Sequence, residues 1–127
     1  MAFTLEQLDH IVLTVANIHA TTDFYTEVLS MDIVTFNGRT ALKFGEQKIN
    51  LHLRGHEFQP HTSRPTPGSA DLCFITLTPI EEVVDYLNVL KVHIEEGPVE
   101  RTGAVGKLMS VYIRDPDQNL IEISNYV

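Results

Sequence analysis

The chain has 127 residues, 43% of them hydrophobic and 20% charged, with 9 Lys+Arg against 17 Asp+Glu for a formal charge of -8. A chain of this length buries roughly two-thirds of its unfolded surface, enough for one globular domain and too little for two ordinary ones. The scattered bases exclude a nucleic-acid backbone as partner, the single Cys73 excludes a disulfide framework, and no apolar run approaches the roughly 20 residues of a membrane span.

Residues 8–15 (LDHIVLTV) alternate Ile11, Leu13 and Val15 with His10, Val12 and Thr14, which predicts a strand with one face on helices and a histidine on the other. Asn17 is a helix cap for an inward stripe of Phe24, Tyr25, Val28 and Leu29, running to about Ser30. Residues 32–36 and 40–44 flank Asn37-Gly38, whose tolerance of positive φ predicts a tight hairpin, and residues 48–53 form a further strand. On that strand Asn50 and His52 share the face opposite Ile49, Leu51 and Leu53. Residues 55–68 contain three prolines and no periodicity, so they connect two halves of the chain.

The second half opens with a strand at residues 70–77, followed by a predicted capping box, Thr78-Pro79-Ile80-Glu81, with Pro at the first helical position. Ile80, Val83, Val84, Leu87 and Leu90 mark the inward stripe of a helix ending at about Lys91. Extended pieces are predicted at residues 92–95, 108–114 and 120–124, the last two joined by the turn Asp115-Pro116-Asp117-Gln118-Asn119. Each half therefore reads strand, helix, three strands. An offset of 61 lays His10 on Asp71, Asn17 on Thr78, Tyr25 on Tyr86 and Leu29 on Leu90, and an offset of 70 lays His52 on Glu122.

Two histidines and two carboxylates, His10, His52, Asp71 and Glu122, thus occupy equivalent places, and mixed imidazole and carboxylate donors suit Zn, Ni, Mn, Co or Fe(II) with positions left for water or substrate. Glu122 between Ile121 and Ile123 needs a metal or an arginine beside it, because an unpaired buried charge is costly. Simpler readings stand beside these: a hydrogen-bonded strand histidine at His10, a salt bridge at Glu122, a polar face at His52, and a strand-start cap at Asp71. His56 and His61 line a cleft mouth or face solvent, and His19 and His93 read as surface residues. Cys73 reads as a small buried hydrophobe, since no basic partner is evident. Lys107 follows Gly103-Ala104-Val105-Gly106, on a loop that can close over an anionic substrate.

LDHIVLTV, FYTEVLSM, FGEQKINLHL, PGSADLCFIT and SVYIRDPDQNLIEI together resemble the vicinal oxygen chelate superfamily of glyoxalase I, fosfomycin-resistance and extradiol dioxygenase proteins, over nearly the whole chain. They look closest to its small single-domain members, the group of glyoxalase-domain-containing protein 5. The resemblance implies an α+β fold of two βαβββ modules in tandem, forming curved sheets around a metal-binding cleft. It implies one domain over residues 1–127, with module 1 at about 5–54, the loop at 55–68 and module 2 at about 69–127. It also implies a divalent metal cofactor, a small-molecule substrate and a homodimer. His10 and Glu122 match the family's first-strand and last-strand ligands, and His52 and Asp71 take the other two ligand positions.

Thr14 stands where bacterial glyoxalase I has an arginine, and His56 where it has an asparagine, so the glutathione substrate does not carry over. Tyr112, ten residues before Glu122, matches a tyrosine of the extradiol dioxygenases, whereas Asp71 stands at one of their histidines. The expected function is a lyase or isomerase in which Glu122 moves a proton and Tyr112 donates to developing charge, with His56 and Lys107 as substrate contacts. An extradiol-type dioxygenase and a non-catalytic drug-binding protein are the alternatives. The N-terminus MAFTLEQLDH carries an acid in place of the basic start of a signal peptide, and the protein is read as cytoplasmic.

Overall fold

The computed structural model describes every residue except Met1. The chain divides into two compact units, Met1–Thr66 and Pro67–Val127. Each is built as a four-stranded sheet with one helix, giving an α+β fold of tandem βαβββ modules.

Unit 1 runs β1 (His10–Val15), α1 (Ile18–Glu27), β2 (Asp32–Phe36), β3 (Arg39–Phe44) and β4 (Gln47–Leu53), in spatial order β1-β4-β3-β2. β1 lies parallel to β4, because α1 carries the chain across to the far edge strand β2 and the antiparallel run β2–β3–β4 brings it back beside β1. Asn17 caps α1 as expected, its Oδ1 accepting from Ala20 N at 2.9 Å. The β2–β3 turn is the Asn37-Gly38 hairpin, with φ of 49° and 73°. Leu13, Val15, Leu42, Ile49 and Leu51 are buried on one face of the sheet, and Tyr25 of α1 is fully buried. The opposite face carries His10, Val12 and Thr14 alongside Lys48, Asn50 and His52.

Unit 2 runs β5 (Asp71–Ile75), α2 (Ile80–Val89), β6 (Glu96–Thr102), β7 (Lys107–Arg114) and β8 (Leu120–Tyr126), in order β5-β8-β7-β6, with β5 parallel to β8. The turn after β7 is held by Asp115, whose carboxylate accepts from Asp117 N, Asn119 N and Asn119 Nδ2 at 2.8 to 2.9 Å. Asn119 Oδ1 then accepts from Ala70 N at 2.8 Å, so one buried polar knot fixes the start of β5 against the start of β8.

Four expectations are corrected. The residues at 92–95 are not a strand; the pairing begins at Glu96, where Gly97 and Pro98 make a bulged edge strand that lacks the alternation a sequence reading needs. Thr78 does not cap α2: the cap position is Pro79, and the side chain that serves the helix start is Asn125 of β8, whose Oδ1 accepts from Ile80 N at 2.7 Å. Lys107 is not on a loop but opens β7, paired with Thr102. The repeat also shifts in α2, since Leu87 is the buried counterpart of Tyr25 while Tyr86 is 43% exposed.

No helix among the described residues is long and apolar enough to cross a membrane.

Candidate functional site

In unit 2 the face of the sheet opposite α2 carries a pocket of about 300 Å³ lined by Asp71, Glu96, Arg101, Tyr112 and Glu122, with Glu95 at its side. The register explains the convergence. Asp71 pairs with Leu120 and Cys73 with Glu122, so Asp71 and Glu122 share a face as diagonal neighbours two residues apart on adjacent strands. Tyr112 stands directly opposite Glu122 across β7 and β8.

Three hydroxyl and thiol groups behind Glu122 fix its carboxylate. Ser110 Oγ donates to Glu122 Oε2 at 2.6 Å, Ser110 and Ser124 hydroxyls are 2.6 Å apart, and Ser124 Oγ is 3.4 Å from Cys73 Sγ. Both serines are fully buried. The charge-assisted bond from Ser110 is of the strong kind, and it aims the carboxylate along the pocket. Cys73, expected from the sequence to be buried, is exposed; partial loss of solvent at its thiol still pushes the pKa up, which makes it a poor nucleophile near neutral pH.

Tyr112 is set by a different chain of contacts. Arg101 Nε donates to its hydroxyl at 3.0 Å, and Arg101 Nη2 is held by Glu96 Oε2 at 2.7 Å. Burial raises the Tyr112 pKa and the nearby Glu122 charge adds to the rise, against the opposing effect of Arg101. The phenol is therefore protonated at neutral pH and available as a donor. At the pocket's side Arg114 grips Glu95 with two bonds of 2.9 and 3.0 Å and holds its carboxyl below the usual range.

In unit 1 His10 is exposed, and its Nδ1 lies 2.8 Å from Asp9 Oδ2. A carboxylate on one ring nitrogen fixes the tautomer and leaves Nε2 for a ligand, the arrangement commonly found behind metal-bound histidines. His52 is buried in a separate pocket of about 280 Å³ with Val12, Thr14, Pro60 and His61. Its ring meets Phe58 edge-on at 5.6 Å, and Arg39 stacks over the same Phe58 ring at 4.1 Å. Burial, then the charge of Arg39, hold its pKa low, so it is a neutral imidazole at pH 7.

The structure therefore brings Asp71, Glu122 and Tyr112 together, but not His10 and His52. His10 pairs with Lys48 and His52 with Thr14, a separation of about 13 Å along the strands. Among the described residues no three His, Cys, Asp or Glu side chains form one metal-holding group. His56 is exposed in the turn after β4, and His61 Nδ1 lies 2.8 Å from the Thr62 carbonyl at the rim of the His52 pocket. Lys107 reaches Glu100 at 3.5 Å and sits about 17 Å along β7 from Tyr112, too far to touch a ligand there.

Three residues of these sites were missed in the sequence. Ser110 had a signal, sharing strand parity with Tyr112. Arg101 had none, because its strand was not predicted. Asn50 was hidden by the offset of 70. The pairing places Asn50 opposite Val12, as Glu122 stands opposite Cys73, so the structural counterpart of Glu122 is Asn50 while that of His52 is Ser124. Asn50 Oδ1 is buried and has no hydrogen-bond partner among the described residues. An unpaired buried acceptor is rare and costly. On the same sheet face of unit 1 it has the imidazole of His10, and an amide oxygen is a donor type that divalent ions accept.

Two βαβββ modules, each with polar donors on the sheet face away from its helix, define a paired-module protein of the glyoxalase type. Residues 7–123 match the Glyoxalase/Bleomycin resistance protein/Dioxygenase superfamily, and the chain belongs to it. It is 61% identical over 124 residues to virulence protein STM3117 of Salmonella typhimurium, covering 97% of this chain and 86% of that protein. The crystal structure of STM3117 superposes with a TM-score of 0.97, over 98% of this chain and 100% of that one. The glyoxalase domain-containing protein RDO1 of Mycosarcoma maydis is 50% identical over 97% of this chain and 70% of its own length. An integron cassette protein of V. cholerae is 52% identical with a TM-score of 0.97, over the full length of both chains.

Proposed function

We propose that the protein is a divalent-metal-dependent, glyoxalase-like enzyme of the lyase or isomerase type that takes a small oxygenated substrate through vicinal oxygens. The observation that carries this reading is the shared pocket of Asp71 and Glu122 opposite the protonated Tyr112. His10, Asp71 and Glu122 are the donors we assign to the ion, with Zn, Ni, Mn, Co and Fe(II) as candidates, and when bound it supplies Lewis-acid stabilisation of negative charge on substrate oxygen. His52, set apart from His10 by the register, is assigned to its own apolar pocket. Superfamily membership supports a homodimer, and the single free Cys73 supports a reducing, cytoplasmic setting.

The chain's own residues supply the proton steps. Glu122, aimed by Ser110, accepts the proton from the carbon beside a carbonyl and returns it to the neighbouring carbon. Tyr112, steadied by Arg101, donates a hydrogen bond to the oxygen on which negative charge develops. Incubation in deuterated water with a panel of 2-oxoaldehydes and hydroxyketones tests this. Metal-dependent label uptake beside the carbonyl is expected, and its absence across the panel overturns the lyase or isomerase reading.

A second reading, an extradiol-type dioxygenase, is favoured by Tyr112 standing opposite Glu122. Oxygen consumption with catechols by the Fe(II)-loaded protein, in the absence of deuterium uptake, selects it. Tight binding of a drug by protein that takes up no metal selects the non-catalytic alternative.

A further inference from the structure

We propose that Asn50 is a ligand-donating residue of unit 1: its buried side-chain oxygen, together with His10 Nε2, is that unit's contribution to cation binding. This rests on the metal-dependent reading above. Two independent observations carry it.

The first is the internal repeat as the strands themselves define it. Asn50 lies two residues diagonally from His10 on the adjacent parallel strand, as Glu122 lies from Asp71. Such a diagonal spans about 8 Å between backbones, a distance over which a histidine and an amide can meet on one ion. His52, two residues further along β4, lies beyond that reach.

The second is the state of the side chain. Across the two neighbouring strands Asn50 faces Val12 and Ala41, neither of which offers a side-chain donor. On the same face Lys48 Nζ sits 4.4 Å from the centre of Phe36 and Arg39 lies over Phe58, so both of these cations are held by aromatic rings. Asn50 Oδ1 is thus a buried acceptor that none of the described residues satisfies. Retaining it costs stability, and a hydrophobe would fill the same place without that cost. A cation explains the retention, because an amide oxygen is a neutral hard donor of the kind that divalent ions accept. The choice of amide over carboxylate leaves the donor set one negative charge weaker than Glu122 would make it at the same place.

The test is calorimetric titration of the full-length metal-free protein with Zn(II), Ni(II) and Mn(II), with thermal unfolding of the same samples. Asn50→Leu is expected to weaken binding at least about tenfold, the scale of losing even an outer-shell partner. Its metal-free form is expected to melt no lower than the parent, since an unsatisfied polar group has been removed. Asn50→Asp, nearly isosteric, is expected to bind more tightly than the parent, and His52→Gln to bind as the parent does. Parent-like affinity in both Asn50→Leu and Asn50→Asp overturns the assignment of Asn50 while leaving the metal reading in place. Failure of the parent to bind any of the three ions overturns the assignment together with the metal reading. Should Asn50→Leu fail to fold, unchanged affinity in Asn50→Asp alone overturns it.

Discussion

Ser110 donates a 2.6 Å hydrogen bond to the Glu122 carboxylate from the neighbouring strand, and it is fully buried where it does so. The hydroxyl has two tasks, since the same oxygen lies 2.6 Å from Ser124 Oγ. Ser110→Ala strands a carboxylate oxygen and a second hydroxyl, so it is expected to cost about 1.5–3 kcal/mol, the range for hydrogen bonds to charged groups. Urea unfolding measures the loss; a variant as stable as the parent would show that this bond does not hold the carboxylate.

Gly97 makes the site depend on the backbone of an edge strand. Its φ is 111°, and a Cβ built there would lie 2.4 Å from the Ser110 carbonyl oxygen and 2.9 Å from Val111 Cα. Gly97→Ala is therefore expected to push β6 off β7 and to destabilise the protein by at least about 1–3 kcal/mol, the cost of a strained backbone position. The same displacement moves Arg101, so a loss of activity exceeding that of Arg101→Lys is expected in steady-state assays.

Asn125 holds α2 from β8. Besides accepting from Ile80 N, it donates Nδ2 to the Thr76 and Thr78 carbonyls at 2.9 and 2.8 Å. Asn125→Ala is expected to cost about 1–2 kcal/mol, the upper range for a lost helix cap. Thr78→Ala is expected to cost far less, and denaturant midpoints of the two variants compare them directly.

The burial of His52 gives the protein a pH dependence whose sign follows from the lowered pKa. Burial, with Arg39, sets its folded pKa below the ordinary histidine value of about 6.5. On acidification through that value the unfolded chain takes up the proton first, so stability present above about pH 6.5 falls as the pH drops toward the lowered folded pKa. Melting temperatures of parent and His52→Gln between pH 7.5 and 5.5 check this: the parent is expected to lose more than the variant.

How much of this was legible in the sequence follows from what each signal depends on. The strands with one apolar face, the Asn37-Gly38 hairpin and the Asn17 cap depend on local chemistry alone, and they appear where the residues place them. Strand β6 was not legible because Pro98 and the bulge at Gly97 erase the two-residue period. The helix cap at Asn125 was not legible because it comes from 45 residues away in the chain. The offset of 70 failed for a subtler reason. It aligned a histidine with a glutamate because both are chemically suggestive, and so passed over an asparagine whose meaning appears only in the strand register and in an unpaired buried oxygen. Glu122, Asp71 and Tyr112 were legible because face parity and the strand pairing agree.

Elemental analysis of the protein purified without added metal, alongside His10→Ala and Glu122→Ala, decides whether a divalent ion belongs to this fold. A near-stoichiometric divalent ion is expected in the parent and its loss in both variants, each of which remains folded by circular dichroism. A parent that is metal-free and cannot be loaded with Zn, Ni, Mn, Co or Fe(II), or variants that retain the full complement, would contradict the metal-dependent reading.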